Sequence, residues 1–113
     1  MNGKQAEHWA ADFLQKQGLQ LLTQNFRSRL GEIDLIMQDA DMLVFVEVRQ
    51  RRNTDFGGAA ASVDIHKQKR LIRAAQYYLA KLGHTSPPCR FDVILMDDAE
   101  GRNAQWIKNA FDA

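Results

Sequence analysis

Glu47 sits inside the chain's most apolar stretch, after Met42-Leu43-Val44-Phe45-Val46 and before Val48. Read as a strand over residues 42–49, the stretch sends alternate side chains to opposite faces. Val44, Val46 and Val48 go one way; Leu43, Phe45, Glu47 and Arg49 go the other. Large apolar residues on both sides mark a strand covered on both faces, the central layer of an α/β domain. An unpaired carboxylate buried in such a strand costs several kcal/mol. The chain must therefore fold in layers around a sheet and set a positive charge or a metal ion beside Glu47.

The 113 residues, 45% of them hydrophobic, suffice for one domain with a sizeable core, and residues 1–113 are read as a single domain. The single cysteine, Cys89, excludes a disulfide framework and a Cys-rich zinc module. The apolar run ending at Val46 is far too short to cross a bilayer, and residues 1–13 carry no basic-then-apolar leader pattern. The expectation is a soluble cytoplasmic protein with no membrane partner.

Around the central strand, periodicity supplies the other elements. A helix is expected over residues 3–17, with Ala6, Trp9, Ala10, Phe13 and Leu14 on one stripe and Gly18 as its stop. Residues 19–26 form a strand of imperfect alternation, and residues 27–31 a polar connection. In the strand over 32–37, Ile33, Leu35 and Met37 share one face, and Glu32, Asp34 and Ile36 the other. A second helix spans 64–82, its stripe formed by Leu71, Ala74, Ala75, Tyr78, Leu79 and Leu82, with Gly83 beyond. Strands over 91–96 and 105–108 follow, the last at an edge. The order is α-β-β-β-α-β, with one further strand at the end.

With the hairpin tip near Asp39 and Ala40, Asp34 faces Phe45 and Glu47 is its diagonal neighbour, a separation of about 4.5–8 Å. Two carboxylates then converge on one side of the sheet, with Arg49 pointing the same way. Glu47 can be answered by Arg49 as a plain ion pair, or by a divalent cation shared with Asp34. Two carboxylates, a carbonyl and waters suit Mg²⁺ or Mn²⁺. Glu7 borders the apolar stripe of the first helix, where it is either a solvated flank or a third acid for the ion. Lys67 and Gln68 continue the second helix's stripe with polar groups, which fits a cleft as well as a helix leaving the core. Charge is uneven: the balance is −3 over residues 1–48, +5 over 49–73 and −1 over 74–113. The basic third offers Arg51, Arg52, Lys69, Arg70 and Arg73 to phosphate, or is simply a solvated face. His8, His66 and His84 have no metal spacing, and Asp92 is expected to pair with an arginine.

Gly31-Glu32-Ile33-Asp34-Leu35-Ile36 followed by Phe45-Val46-Glu47-Val48, with twelve residues between Asp34 and Glu47, resembles the PD-(D/E)xK nuclease signature. With Gly3, Glu7, Ala10, Gly18, Asn25-Phe26-Arg27, Phe56-Gly57, Lys67 and Phe91-Asp92-Val93, the whole chain resembles the YraN-like bacterial family. The resemblance implies a restriction endonuclease-like α/β fold, a central mixed sheet flanked by helices, similar to Holliday-junction resolvases. It implies that Glu7, Asp34 and Glu47 are the metal-site acids, holding Mg²⁺ or Mn²⁺. Arg49 stands where the motif has lysine, and Arg51 matches a basic residue that follows it. Arginine keeps the charge and grips phosphate with a fork, but is never a general base. The implied activity is a metal-dependent, structure-specific DNA endonuclease, with Asp34, Glu47, Arg49 and Lys67 as catalytic candidates and DNA ahead of RNA as partner. A homodimer is expected if two strands are cut. The alternatives are a nucleic-acid-binding protein that does not cut, because of Arg49, and a protein–protein adaptor.

Overall fold

The computed structural model describes residues 2–51, 63–83, 87–97 and 104–113. Its elements are α1 (Gly3–Lys16), β1 (Gln20–Ser28), β2 (Gly31–Asp39), β3 (Met42–Arg51), α2 (Ile65–Lys81), β4 (Cys89–Asp97) and β5 (Gln105–Phe111). This is the expected α/β order, with the extra strand present. The loop over 53–62, with Gly57 and Gly58, lies outside the described residues, as does Arg52.

The five strands lie in the order β1-β2-β3-β4-β5. Only β3 and β4 are parallel; β1/β2, β2/β3 and β4/β5 are antiparallel. A parallel pair needs a long crossover, and α2 lies within it. One core lies between α1 and the sheet: Ala6, Ala10, Ala11 and Leu14 meet Leu35, Met37, Val44, Val46, Ile94 and Met96. On the other face Leu71, Ala74 and Ala75 of α2 meet Ile33, Ile36, Leu43, Phe45, Phe91 and Val93. The two-sided apolar character of β3 is thus answered by one helix on each face. No helix among the described residues is long and apolar enough to cross a membrane.

Local chemistry sets the boundaries. Asn2 caps α1, its Oδ1 accepting from the Gln5 amide at 2.8 Å while Gln5 Oε1 accepts from the Asn2 amide at 2.8 Å. Gly18, at φ +99°, ends it. β1 alternates poorly because its register against β2 shifts between Leu21 and Thr23, leaving Leu22 as a bulge residue. It also runs further than expected, to Ser28, so that only Arg29 and Leu30 turn the chain into β2. Leu82 caps α2 and is 44% exposed, so it is not part of the buried stripe as expected. β5 extends from Gln105 to Phe111. Asp92, fully buried, accepts from Arg90 Nε, Trp106 Nε1 at 3.0 Å and the Asn109 amide at 2.9 Å, and so ties β5 to β4. The expected arginine pairing is there, and Asp92 is structural.

Two expectations about β2 need correction. The hairpin turns at Ala40 and Asp41, not Asp39 and Ala40, because Asp39 pairs with Met42. Ala40 has φ +55°, a turn conformation the sequence does not advertise with glycine. The register therefore moves by two residues: Ile36 faces Phe45, and Asp34 comes opposite Glu47 rather than Phe45. A two-residue shift preserves side-chain parity, so the acids still share a face. Second, Ile33 does not share a face with Leu35 and Met37; it joins Ile36 in the α2-side core. The alternation breaks at Asp34, where the β2/β3 ladder has already stopped at Leu35 and Val46.

Candidate functional site

The stop in the ladder builds the site. Where β2 would continue to bond β3 through its backbone, the Val48 amide donates to Asp34 Oδ2 at 2.8 Å. A side-chain oxygen has replaced a main-chain carbonyl, so the strands part and leave the Asp34 and Glu47 carboxyls at the fork. They lie against a cavity of about 150 Å³ lined by Glu32, Asp34, Glu47, Lys67, Arg70 and Leu71. That is room for an ion with several waters.

Glu47 is 5% exposed. Burial, then the Asp34 charge and a hydrogen bond between the two carboxyls, push its pKa up to about 8, against the pull of Lys67. A hydrogen bond between two carboxyls needs a proton on one of them, and burial assigns it to Glu47. Lys67 Nζ lies 3.4 Å from Glu47 Oε1. The helix start holds that lysine in place. Asp64 Oδ1 accepts from the Lys67 amide at 2.9 Å, and Gln68 Nε2 donates to the Val63 carbonyl at 2.9 Å. Lys67 thus lines a cleft, while Gln68 turns back to the helix start.

Arg49 does not line the cavity and forms no ion pair among the described residues. The expectation that Arg49 answers Glu47 is replaced by Lys67, which arrives from α2 across the sheet face. The Arg51 side chain, like Arg52, is outside the described residues. Arg70 lines the cavity; Arg73 lines a neighbouring groove; Lys69 is exposed and lines neither.

Glu7 reaches the fork from the other side, because α1 packs on the face opposite α2. Burial and the Asp34 charge raise its pKa, a hydrogen bond with the Asn25 side chain lowers it, and Glu32 raises it further. Its Oε1 is buried and has no hydrogen-bond partner. Glu7 therefore stands near Asp34 but apart from Glu47, and among the described residues no three Asp, Glu, His or Cys side chains already close on one point. His8 and His66 join no such group, and His84 lies outside the described residues.

Three residues beside the site escape a reading by spacing. Glu32 lies within the glycine-led motif but carries no partner signal. Arg29 lies in what reads as a polar loop. Asn25, at φ +53°, distorts β1 where its side chain meets Glu7.

A family model described as "Uncharacterised protein family UPF0102" matches residues 6–96. The chain belongs to that family. The YraN-like resemblance is upheld by relatives along nearly the whole length. A UPF0102 protein of Nitrosospira multiformis is 51% identical over 112 residues, covering 99% of this chain and 93% of its own. Another, from a Janthinobacterium, is 58% identical over 98% of this chain and 87% of its own. A third, from Nitrosomonas europaea, is 55% identical over 97% of this chain and 92% of its own. The UPF0102 match runs from within α1 to near the end of β4, with Glu7, Asp34, Glu47, Lys67, Arg70 and Arg73 inside it.

Proposed function

We propose that the chain is a metal-dependent, structure-selective DNA endonuclease with Asp34 and Glu47 at its centre. The observation that carries this is the carboxyl pair at the fork of β2 and β3, both groups lining one cavity walled by Lys67 and Arg70. A carboxyl pair that must retain a proton to coexist is a natural cation site. Mg²⁺ needs only one or two protein carboxylates, keeping waters elsewhere. The donor set fits Mg²⁺ or Mn²⁺, and the unpartnered Glu7 oxygen beside Asp34 is a further acceptor for a ligated water.

A divalent ion bound there would supply Lewis acidity, acidifying a water and offsetting charge on the phosphate. The chain's own residues do the rest. The Val48 amide fixes Asp34 Oδ2 and so fixes where the carboxylate can point. Glu47, its proton lost to solvent, would be the second carboxylate to hold the ion. Lys67 Nζ, freed from Glu47, turns its charge on the pentacoordinate phosphate, and Arg70 adds a second cation on the same wall. Arg49 takes no proton, since a guanidinium stays charged, so the lysine role of the signature is filled from α2.

The test incubates purified protein with nicked, flapped and four-way-junction DNA, with and without Mn²⁺. Mn²⁺-dependent cleavage that falls at least about 100-fold in Asp34→Ala and Glu47→Ala supports the reading. A contaminating nuclease survives both substitutions. Binding without product makes the chain a non-cleaving nucleic-acid binder. Absence of any nucleic-acid affinity at low salt removes both readings and leaves the adaptor.

A further inference from the structure

The carboxyl cavity does not end at Arg70. Beyond it lies a groove of about 460 Å³ lined by Ser28, Arg29, Leu30, Gly31, Glu32, Arg70 and Arg73, and Glu32 and Arg70 line both spaces. We infer that this groove, between the β1–β2 turn and α2, holds the phosphodiester next to the reacting one, with Arg29 and Arg73 as positioning residues. This rests on the nuclease reading and names the substrate's path through that site.

Three arguments support it. First, Arg29, Arg70 and Arg73 come together from two elements far apart in sequence, and none of them forms an ion pair among the described residues. Three guanidinium groups around the single carboxylate of Glu32 leave the groove net positive, and a phosphate is the ligand that suits planar, forked donors. Second, the groove is built. A Cβ at Gly31 would lie 2.7 Å from the Arg70 carbonyl oxygen, so only glycine lets the turn seat against α2 and bring Arg29 beside Arg70 and Arg73. The glycine that opens the carboxylate motif is thereby explained by the groove rather than by the acids. Third, the turn is stiff: Ser28 Oγ donates to the Gly31 carbonyl at 3.1 Å and accepts from the Leu30 amide at 3.1 Å. Arg29 is therefore carried on a fixed two-residue turn. A strand whose reacting phosphate sits at Asp34 and Glu47 continues along Arg70 into this groove.

The experiment measures binding of fluorescein-labelled flapped DNA in Ca²⁺ across a salt series, and cleavage in Mn²⁺, for wild type and for Arg29→Gln/Arg73→Gln. Both arginines are exposed and lie outside the carboxyl cavity, so the melting temperature serves as a folding control. Arg27→Gln, on β1 just before the turn but lining neither space, is the charge control. Each lost phosphate contact removes about 0.7–0.9 from the slope of log K against log salt. The double variant is expected to lose roughly 1.4–1.8 of that slope and at least about tenfold in affinity, with kcat at saturating DNA unchanged. Arg27→Gln is expected to leave the slope within about 0.3 of wild type. An unchanged slope in the double variant, with wild type binding and cutting normally, overturns the groove and leaves the nuclease reading intact. Wild type that neither binds nor cuts overturns the reading and the groove with it.

Discussion

At Glu47 the balance of forces has a measurable sign. Burial, the Asp34 charge and the hydrogen bond to Asp34 hold its proton on, Lys67 alone opposes them, and the result is a pKa of about 8 against an ordinary 4.5. Between those values the folded chain keeps a proton that the unfolded chain has released. Stability of the metal-free protein therefore falls as pH rises from about 4.5 to about 8, and is flat above, on the order of 5 kcal/mol for full expression of the shift. Glu7, raised by burial and by Asp34, adds to the fall in the same direction. Urea unfolding followed from pH 5 to pH 9 in a chelator reads this slope. Glu47→Gln keeps the shape and the donor toward Asp34 but has no proton to lose. It is expected to be more stable than wild type at pH 8, with the gap closing toward pH 5. A variant that follows the wild-type slope would show that Glu47 does not carry the retained proton.

Elements meet at two places where one residue decides the fit. At Gly31 the β1–β2 turn touches the α2 backbone, and Gly31→Ala puts a methyl 2.7 Å from the Arg70 carbonyl oxygen, where no flexible side chain can yield. The expected cost is about 1–3 kcal/mol in chemical unfolding. At Asp92 the buried carboxylate serves three donors, from Arg90, Trp106 and Asn109. Asp92→Ala strands a partly buried guanidinium and an indole N–H, and is expected to cost roughly 3–5 kcal/mol and to release β5 first in hydrogen exchange. Most elements were legible because their signals are local: the stripe of α1, the two-sided run of β3, the glycines after each helix. The tip of the β2–β3 hairpin was not, because Ala40 takes a positive φ without glycine or asparagine to announce it. The carboxyl convergence survived that error only because parity is insensitive to a two-residue slip. The fork itself was illegible. Nothing in the spacing of Asp34 says that its side chain takes the Val48 amide and ends the ladder, which is what moves Ile33 to the other core. Lys67 as the partner of Glu47 is a contact between elements, visible in sequence only as a polar residue continuing an apolar stripe.

Across the whole molecule, the two helices divide the work: α1 brings Glu7 to the fork from one face, and α2 brings Lys67 and Arg70 from the other. Lys67 is paired with Glu47, so under the proposed function ion and lysine would compete for one carboxylate. That competition separates a lysine that acts on substrate from one that merely supports the fold. If the proposed cation site exists, Mg²⁺ or Mn²⁺ at about 100 times its Kd is expected at pH 8 to add about 2.7 kcal/mol to stability, a rise in Tm on the order of 10 °C, and Asp34→Ala is expected to abolish it. Lys67→Met removes the competitor. The metal-induced rise in Tm is then expected to persist or grow, while cleavage at saturating metal falls by roughly 10²–10³-fold, the usual effect of losing one charge-stabilising group. Those opposite signs cannot arise from a lysine whose only task is to hold α2 in place, since loosening the helix would weaken metal binding and cleavage together. Thermal shift and cleavage, measured on the same preparation, therefore decide whether Lys67 belongs to the chemistry. A variant that loses both would return Lys67 to the architecture of the cleft.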